Sequence, residues 1–366
     1  FLPLSHAYER TAGQFFPLTI GAQIFYSRGV EHLTTEMDEV RPTIMTAVPR
    51  LLELLHQRLM SGLRHQPTWR QKLFHQAIRV GRKRLAGDRL GPVDAVLDRT
   101  LERLVRNKVR ARFGGELKGM VSGGAALNPE IARDLLALGV RVLQGYGQTE
   151  AGPVVAFNPP GRVKVETVGK PLPGVEVALA PDNELLVRGP NVMQGYWGLP
   201  QHTARTIKDS WLYTGDLAQI DAEGYITITD RKKDILVLSG GETLSPARVE
   251  NALTRQPEVA QAMVYGDKRP HLVALVVPDE DFMRTWASEN GCPAELAALA
   301  RMDAFQERMD QVLRRVNREV NQMERVRRFA VVPQPFTVDN DMLTPTMKIR
   351  RHKIREVYGE TLEALY

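Results

Sequence analysis

The chain has 366 residues, 43% hydrophobic and 25% charged, with a formal net charge of +6. That is the composition of a globular protein long enough to bury a substantial core, with two domains as the default expectation, and it argues against an intrinsically disordered or fibrous chain. No uninterrupted apolar run is long enough to span a bilayer, and Cys292, the lone cysteine, has no companion for an internal disulfide or a thiolate metal site. A reducing, cytoplasmic setting is the expectation that follows.

Along the chain, residues 43–59 read as a helix, with Leu51, Leu52, Leu54, Leu55 and Leu59 forming a broad apolar face. Residues 58–112 form a basic block, with fifteen Lys/Arg against four Asp/Glu, an excess larger than the net charge of the whole chain. Such a block can attract an anionic membrane surface, nucleic acid or phosphorylated ligands, or be simply a solvated helical surface. Only Trp69 and Phe74 interrupt it, too few aromatics for a nucleic-acid stacking platform, so no nucleic-acid partner is expected. Leu97, Leu101, Leu104, Val105 and Val109 repeat at helical spacing through its second half. Met120-Val121 then runs into Ser122-Gly123-Gly124. Asn128 reads as an N-cap, Pro129 as the first helical residue and Gly139 as the stop, before a strand at 140–143. Strand, turn, helix and strand in that order predict an α/β layer with a parallel sheet, whose ligands sit at the C-terminal strand ends. Ser122-Gly123-Gly124 and Gly145-Tyr146-Gly147 both fall there.

From 154 to 230 the signals are mostly β, including Glu184–Arg188 and 225–229. A smaller α+β unit follows. It has strands at 235–238, Val259–Tyr265 and 272–277, a helix capped by Ser245-Pro246 and ended by Pro257, and a long helix marked by Phe305, Met309, Val312, Leu313, Val316, Val320 and Met323. The predicted division is 1–230 and 231–366, with the boundary near 231–233.

Four short stretches could carry chemistry. In Gly145-Tyr146-Gly147-Gln148-Thr149-Glu150 the glycines let backbone approach a ligand, Tyr146 offers a flat face to a purine, Thr149 a hydroxyl and Glu150 a carboxylate for Mg²⁺. A structural turn after a strand is the alternative. Asp216, in Tyr213-Thr214-Gly215-Asp216, is either a turn residue or a carboxylate that accepts both ribose hydroxyls. Asp230-Arg231-Lys232-Lys233-Asp234 is a charged turn in which Arg231 could donate a fork of hydrogen bonds to ribose or phosphate. Lys348 ends Thr344-Pro345-Thr346-Met347-Lys348 as a cation in a loop. Ser239-Gly240-Gly241 reads as a hairpin turn or a narrow backbone-lined passage, and His6 as a lone histidine of structural or catalytic use.

These four stretches, in this order, resemble the AMP-forming acyl-CoA synthetases of the adenylate-forming superfamily, and the resemblance spans essentially the whole chain. Residues 1–10, the basic block before Ser122, and Gln194-Gly195-Tyr196-Trp197 are similar to the long-chain fatty acid branch. The resemblance implies the C-terminal part of a large adenylate-forming domain, a parallel sheet layer plus a β-rich subdomain, followed by a small mobile domain. It implies that Gly123 and Gly124 line an adenine pocket, that Tyr146 stacks on the base, that Thr149 contacts the α-phosphate and that Glu150 binds Mg²⁺. Asp216 and Arg231 would hold the ribose, and Lys233 would mark the hinge. His6 would lie beside the acyl carboxylate, Lys348 would contact carboxylate and α-phosphate, and Gly240 and Gly241 would border a pantetheine channel. The implied substrates are a fatty acid, ATP and CoA. Peripheral membrane contact would run through 58–112. The family's Ser/Thr/Gly-rich phosphate loop has no counterpart in this sequence, which starts at Phe1, so the expectation is a C-terminal fragment inactive in adenylation alone. An acyl-ACP or acyl-AMP ligase and a non-catalytic binding fragment are the rival readings.

Overall fold

In the computed structural model, which describes residues 1–64, 66–345 and 347–366, the chain divides into two compact units, Phe1–Thr229 and Asp230–Tyr366. Thr346 of the 344–348 motif, and His65 in the basic block, lie outside the described residues.

The first unit is built on two sheets. Strands β1 (Ile44–Ala47), β2 (Gly119–Ser122) and β3 (Val142–Tyr146) run parallel in that order, and the short β4 (Ala156–Phe157) and β5 (Lys170–Pro171) extend the sheet antiparallel. The second sheet joins β6 (Glu176–Leu179), β7 (Glu184–Arg188), β9 (Trp211–Ile220) and β10 (Ile226–Arg231), with β8 (Ile207–Lys208) paired to β9. Around the parallel strands lie helices α1 (Leu33–Val40), α2 (Pro49–Arg64), α3 (Thr68–Leu85), α4 (Pro92–Leu101) and α5 (Pro129–Ala137). From α4 the chain continues through a π-helical stretch, Glu102–Arg106, into a last turn, Asn107–Ala111.

The helix expected over 43–59 is corrected. Its first part is β1, paired in parallel with β2 from Ile44↔Gly119 to Ala47↔Ser122. The helix starts at Pro49, because proline forces the preceding Val48 out of the helical region and itself suits a first turn. Of the apolar face as read, Leu51, Leu52, Leu55 and Leu59 are buried, Leu54 is only half-buried, and Leu63 joins the buried stripe one turn further on. α5 has the predicted ends. Asn128 Oδ1 accepts from the Glu130 N–H at 3.0 Å, and Gly139 turns back at φ +86° while its N–H donates to Leu136 O at 3.0 Å.

The basic block runs from the end of α2 through α3 and α4 into the stretch 102–111, and much of its charge is paired. Arg82 holds Asp134 Oδ1 (2.6 Å) and Glu130 Oε2 (2.7 Å) on α5. Arg79 and Lys83 share Asp94 at 2.9 and 2.8 Å. Arg106 is completely buried, donating to Ala137 O at 2.8 Å and Ala77 O at 3.3 Å while facing Asp98 at 2.7 Å. Among the described residues no helix is long and apolar enough to cross a membrane.

The second unit has a hairpin, β11 (Leu236–Val237) with β12 (Thr243–Leu244), and a sheet in which β14 (Leu272–Pro278) lies between antiparallel β13 (Val259–Tyr265) and parallel β15 (Val326–Val331). Both faces of that sheet are covered. Leu272, Ala274 and Val276 join one core with helices α6 (Pro246–Thr254), α7 (Glu280–Asn290) and α8 (Asp303–Glu319); Val273, Leu275 and Val277 join the other with α9 (Arg351–Glu363). This is why 272–277 reads as an unbroken apolar run rather than an alternation. The long helix ends earlier than its pattern: Val320 is already extended, and Met323 is exposed in a 3₁₀ turn, Gln322–Glu324, fixed by a capping box from Asn321 and Glu324.

Candidate nucleotide site

At the C-terminal end of β2 the chain turns through Gly123 and Gly124, the latter at φ +87°. A Cβ on Gly123 would lie 3.4 Å from the Tyr8 ring, whose hydroxyl donates to Val121 O at 2.8 Å. Burial pushes the Tyr8 phenol far up, with a backbone hydrogen bond at Ala47 opposing and the charge of Glu9 adding to the rise. His6 Nδ1 accepts the Tyr8 N–H at 3.2 Å. Through Tyr8, and through Thr46 Oγ1 donating to Glu9 Oε2 at 2.6 Å, the segment bearing His6 is fastened to β1 and β2.

The neighbouring strand β3 leads into residues 145–150. A Cβ on Gly147 would sit 1.8 Å from Pro153 O, so the backbone folds back here at a distance no other residue allows. Tyr146 donates its hydroxyl to Asp216 Oδ2 at 2.6 Å, bringing together the two residues singled out for base and ribose from 70 positions apart. Asp216 is buried on β9 and held by its surroundings. Gly215, at φ +72°, donates its N–H to the buried Glu184 Oε1 at 2.7 Å. The Asp216 N–H donates to Thr214 Oγ1 at 3.1 Å, and that hydroxyl donates to Leu185 O on β7 at 2.7 Å.

Thr149 is exposed at the start of the 3₁₀ turn Thr149–Ala151. Glu150, next to it, accepts the Tyr196 hydroxyl at 2.9 Å. Burial raises the Tyr196 pKa, and the hydrogen bond to Glu150 and its charge raise it further, so the phenol stays a donor. Tyr196 is oriented by its own N–H, which donates to Thr203 Oγ1 at 2.9 Å. The sequence marked Tyr196 only as part of a resemblance; its place beside Glu150 comes from the fold. Among the described residues there is no group of three or more His, Cys, Asp or Glu that could hold a metal. Mg²⁺ keeps most of its water and phosphate ligands and needs only one or two carboxylates. Glu150 therefore fits an ion that arrives on a polyphosphate, not a protein-built cage.

In the second unit, Arg231 ends β10, and its carbonyl accepts the Asp234 and Ile235 N–H groups at 3.0 and 3.2 Å, closing a turn with exposed Lys233 in it. Gly240 and Gly241 form the β11–β12 turn, with Gly241 at φ +91° and its N–H on Leu238 O at 2.9 Å. Lys348 closes a tight loop: its N–H donates to Thr344 Oγ1 at 3.0 Å, its carbonyl accepts the Thr344 N–H at 2.8 Å, and Leu343 bridges Ile349. Within the first unit the structure thus joins Tyr146 to Asp216 directly. It sets Thr149 and Glu150 in the same β3 turn, puts Gly123 and Gly124 at the end of the adjacent strand, and fastens the segment bearing His6 to β1 and β2 through Glu9 and Tyr8.

An aromatic face beside a buried, oriented carboxylate is what a nucleoside needs, and the family match agrees. The AMP-binding enzyme family matches residues 1–197, and its C-terminal domain matches residues 233–366. The chain belongs to the AMP-binding enzymes. Among AMP-binding enzymes with curated names, it is 33% identical over its whole length to the long-chain-fatty-acid–CoA ligase FadD15 of Mycobacterium bovis, of which it covers 61%, and 33% identical to long-chain-fatty-acid–CoA ligase 6 of Homo sapiens, of which it covers 54%. The chain thus spans somewhat more than half the length of these relatives. Its whole length also superposes on the adenylation domain of the carboxylate reductase from Mycobacterium chelonae, with TM-score 0.74 and 26% identity over 53% of that chain. The corresponding domain from Segniliparus rugosus, solved with AMP and a co-purified carboxylic acid, gives TM-score 0.73 at 26% identity over 53% of that chain.

Proposed function

We propose that this chain is the adenylate-handling and thioester-forming part of a long-chain fatty acid–CoA ligase, converting fatty acid, ATP and CoA to acyl-CoA, AMP and pyrophosphate through an acyl-adenylate. The Tyr146–Asp216 pair carries the reading, together with 33% identity over the whole chain to relatives named as such ligases. Tyr146 stacks on adenine, with Gly123 and Gly124 letting backbone close on the ring. Asp216 and Arg231 hold the ribose hydroxyls. Thr149 donates to the α-phosphate. Glu150, aimed by Tyr196, holds Mg²⁺, which when bound offsets phosphate charge as a Lewis acid.

A carboxylate is a poor nucleophile toward an anion. The Lys348 ammonium offsets repulsion as the fatty carboxylate oxygen attacks the α-phosphorus and pyrophosphate leaves. His6 lies beside the acyl carboxylate. The CoA thiol then gives up its proton, its sulfur attacks the acyl carbonyl, and AMP leaves. The second unit serves the two steps with different edges, Lys348 for the first and the Gly240–Gly241 turn, bordering the pantetheine, for the second. The exposed turn at Lys233 is the hinge.

The test uses the second step, which requires no phosphate loop. The 366-residue chain is given palmitoyl-adenylate with CoA or with an acidic carrier protein, and AMP affinity is measured by calorimetry. Palmitoyl-CoA forms, and Asp216→Ala weakens AMP by about tenfold or more, as expected for a lost pair of hydrogen bonds to a charged group. Preferential loading of the carrier protein would replace CoA as acceptor. AMP affinity indifferent to Asp216 would remove the nucleotide reading altogether.

A further inference from the structure

Two arginines follow Lys348 in the chain, and they are used differently. Arg350 closes the loop on itself: its side chain pairs with Asp341, and its N–H donates to Met342 O at 2.9 Å. Arg351, the first residue of α9, reaches out to other elements. Its two terminal nitrogens each lie 2.6 Å from one carboxylate oxygen of Glu250 on α6, and Nη1 also donates to Val264 O on β13 at 3.3 Å. Glu250 is buried, and its Oε1 takes a further hydrogen bond from the Val264 N–H at 2.7 Å. Burial works against the Arg351 charge, but the charge and hydrogen bonds of Glu250 outweigh it. The charges of Asp234 and Asp230, which flank the turn around Lys233, act in the same direction, so the guanidinium stays charged.

A buried ion pair is a poor source of stability, since apolar side chains of similar size often serve as well or better. α9 already has an apolar anchor in Ile354, Tyr358 and Leu362, which join the core. What the fork adds is direction: a planar guanidinium on two carboxylate oxygens fixes both distance and orientation. Direction matters three residues upstream, at Lys348. Met347, just before it, stands at φ +62°, a strained setting that persists only where the surroundings impose it. We infer that the Arg351–Glu250 fork is a positioning device for Lys348: it sets the start of α9 against α6 and so aims the loop that ends in the lysine. Its purpose rests on the reading of Lys348 as the cation of adenylation; its effect on the loop does not.

Two measurements on the 366-residue chain test it. One is hydrogen exchange at the Lys348 and Arg350 amides, which donate to Thr344 Oγ1 and Met342 O. The other is affinity for the sulfamoyl analogue of palmitoyl-adenylate, which cannot acylate CoA. Arg351→Gln alone would strand the Glu250 charge in the interior and threaten the fold. The main variant is therefore Glu250→Leu/Arg351→Met, which removes the fork and leaves no charge buried alone. It should melt at the temperature of the parent, exchange both amides about tenfold or more faster, and bind the analogue about tenfold more weakly, the order of a lost hydrogen bond to a charged group. Arg351→Lys keeps the charge but not the fork, and should show the same two losses. Combined with Lys348→Ala, the double replacement should cost the analogue nothing further, because it acts through that lysine. Unchanged exchange at both amides, or a loss of affinity that adds in full to that of Lys348→Ala, would overturn the positioning role. Analogue affinity indifferent to Lys348→Ala would instead remove the adenylation reading of the lysine, and the exchange rates would then decide the role of the fork.

Discussion

At Tyr146 a single hydroxyl ties the floor of the site together, and its two properties can be separated. The ring supplies a stacking face; the O–H supplies a hydrogen bond to a buried carboxylate at 2.6 Å. Tyr146→Phe keeps the first and removes the second. A hydrogen bond to a charged group is worth about 1.5–3 kcal/mol, so urea denaturation should report a loss of about that size. AMP affinity should fall less in Tyr146→Phe than in Tyr146→Ala, which also loses the face; equal loss in both would show that the ring does not stack. Gly147 offers a sharper case. Its added methyl would meet the Pro153 carbonyl at 1.8 Å, and that neighbour is backbone, which cannot swing aside. Gly147→Ala should therefore lower the melting temperature and abolish AMP binding together, by shifting the turn that carries Thr149 and Glu150. The residue types of this turn were legible in the sequence. The partners were not, because Tyr146 and Asp216 are 70 positions apart and Glu150 and Tyr196 are 46 apart, and no local pattern links them.

At the scale of elements, legibility followed the chemistry of the buried face. α5 could be read end to end because Asn128, Pro129 and Gly139 each do what their residue type favours. The short β1 abuts a Leu-rich periodic run and merges with it in the sequence, although Pro49 marks the break that the pairing of β1 with β2 makes plain. The buried face of α3 is harder to see, because Phe74 and Val80 share it with Ala77 and Gly81, which do not stand out as an apolar stripe among the basic residues. Gly81 packs so close to α5 that a Cβ would lie 2.5 Å from Ala137 O. α9 carries an i, i+4, i+8 signal in Ile354, Tyr358 and Leu362, its buried residues. What holds α3 to α5 is partly ionic and should show in acid. Burial pushes the Asp134 carboxyl up, but hydrogen bonds from His56 and Arg82 and the Arg82 charge outweigh it, so its pKa lies below the usual range. A depressed carboxyl gives stability that is complete above the unfolded value near 4 and is lost as pH falls through the lower folded value. Melting temperature should drop more steeply below about pH 4 in the parent chain than in Asp134→Asn, which lacks that titration. Parallel acid curves for the two would show that Asp134 does not anchor the contact.

At the scale of the molecule, the two units have separate cores, and the chemistry proposed for the second unit lies on two different loops of it. Lys348 sits in a loop pinned by Thr344 and the Leu343–Ile349 bridge, whereas Gly241 turns the β11–β12 hairpin. If the loops serve different half-reactions, substitutions in them should separate on one assay. With palmitoyl-adenylate and CoA supplied, the phosphorus chemistry is already done and no two anions need to be brought together. Lys348→Ala should then change the thioester rate by less than about threefold, set against the 10²–10³ typical of removing a group that stabilises developing charge. Gly241 stands at φ +91°, where a side chain is strained whatever the space around it, so Gly241→Val should distort the turn bordering the thiol and slow the same step by about tenfold or more. Melting curves of both variants distinguish a displaced turn from an unfolded unit, and Lys348→Arg, which keeps the charge, should behave as the parent. A Lys348→Ala enzyme as slow in this step as Gly241→Val would place the lysine in thioester formation and dissolve the division of labour between the two loops.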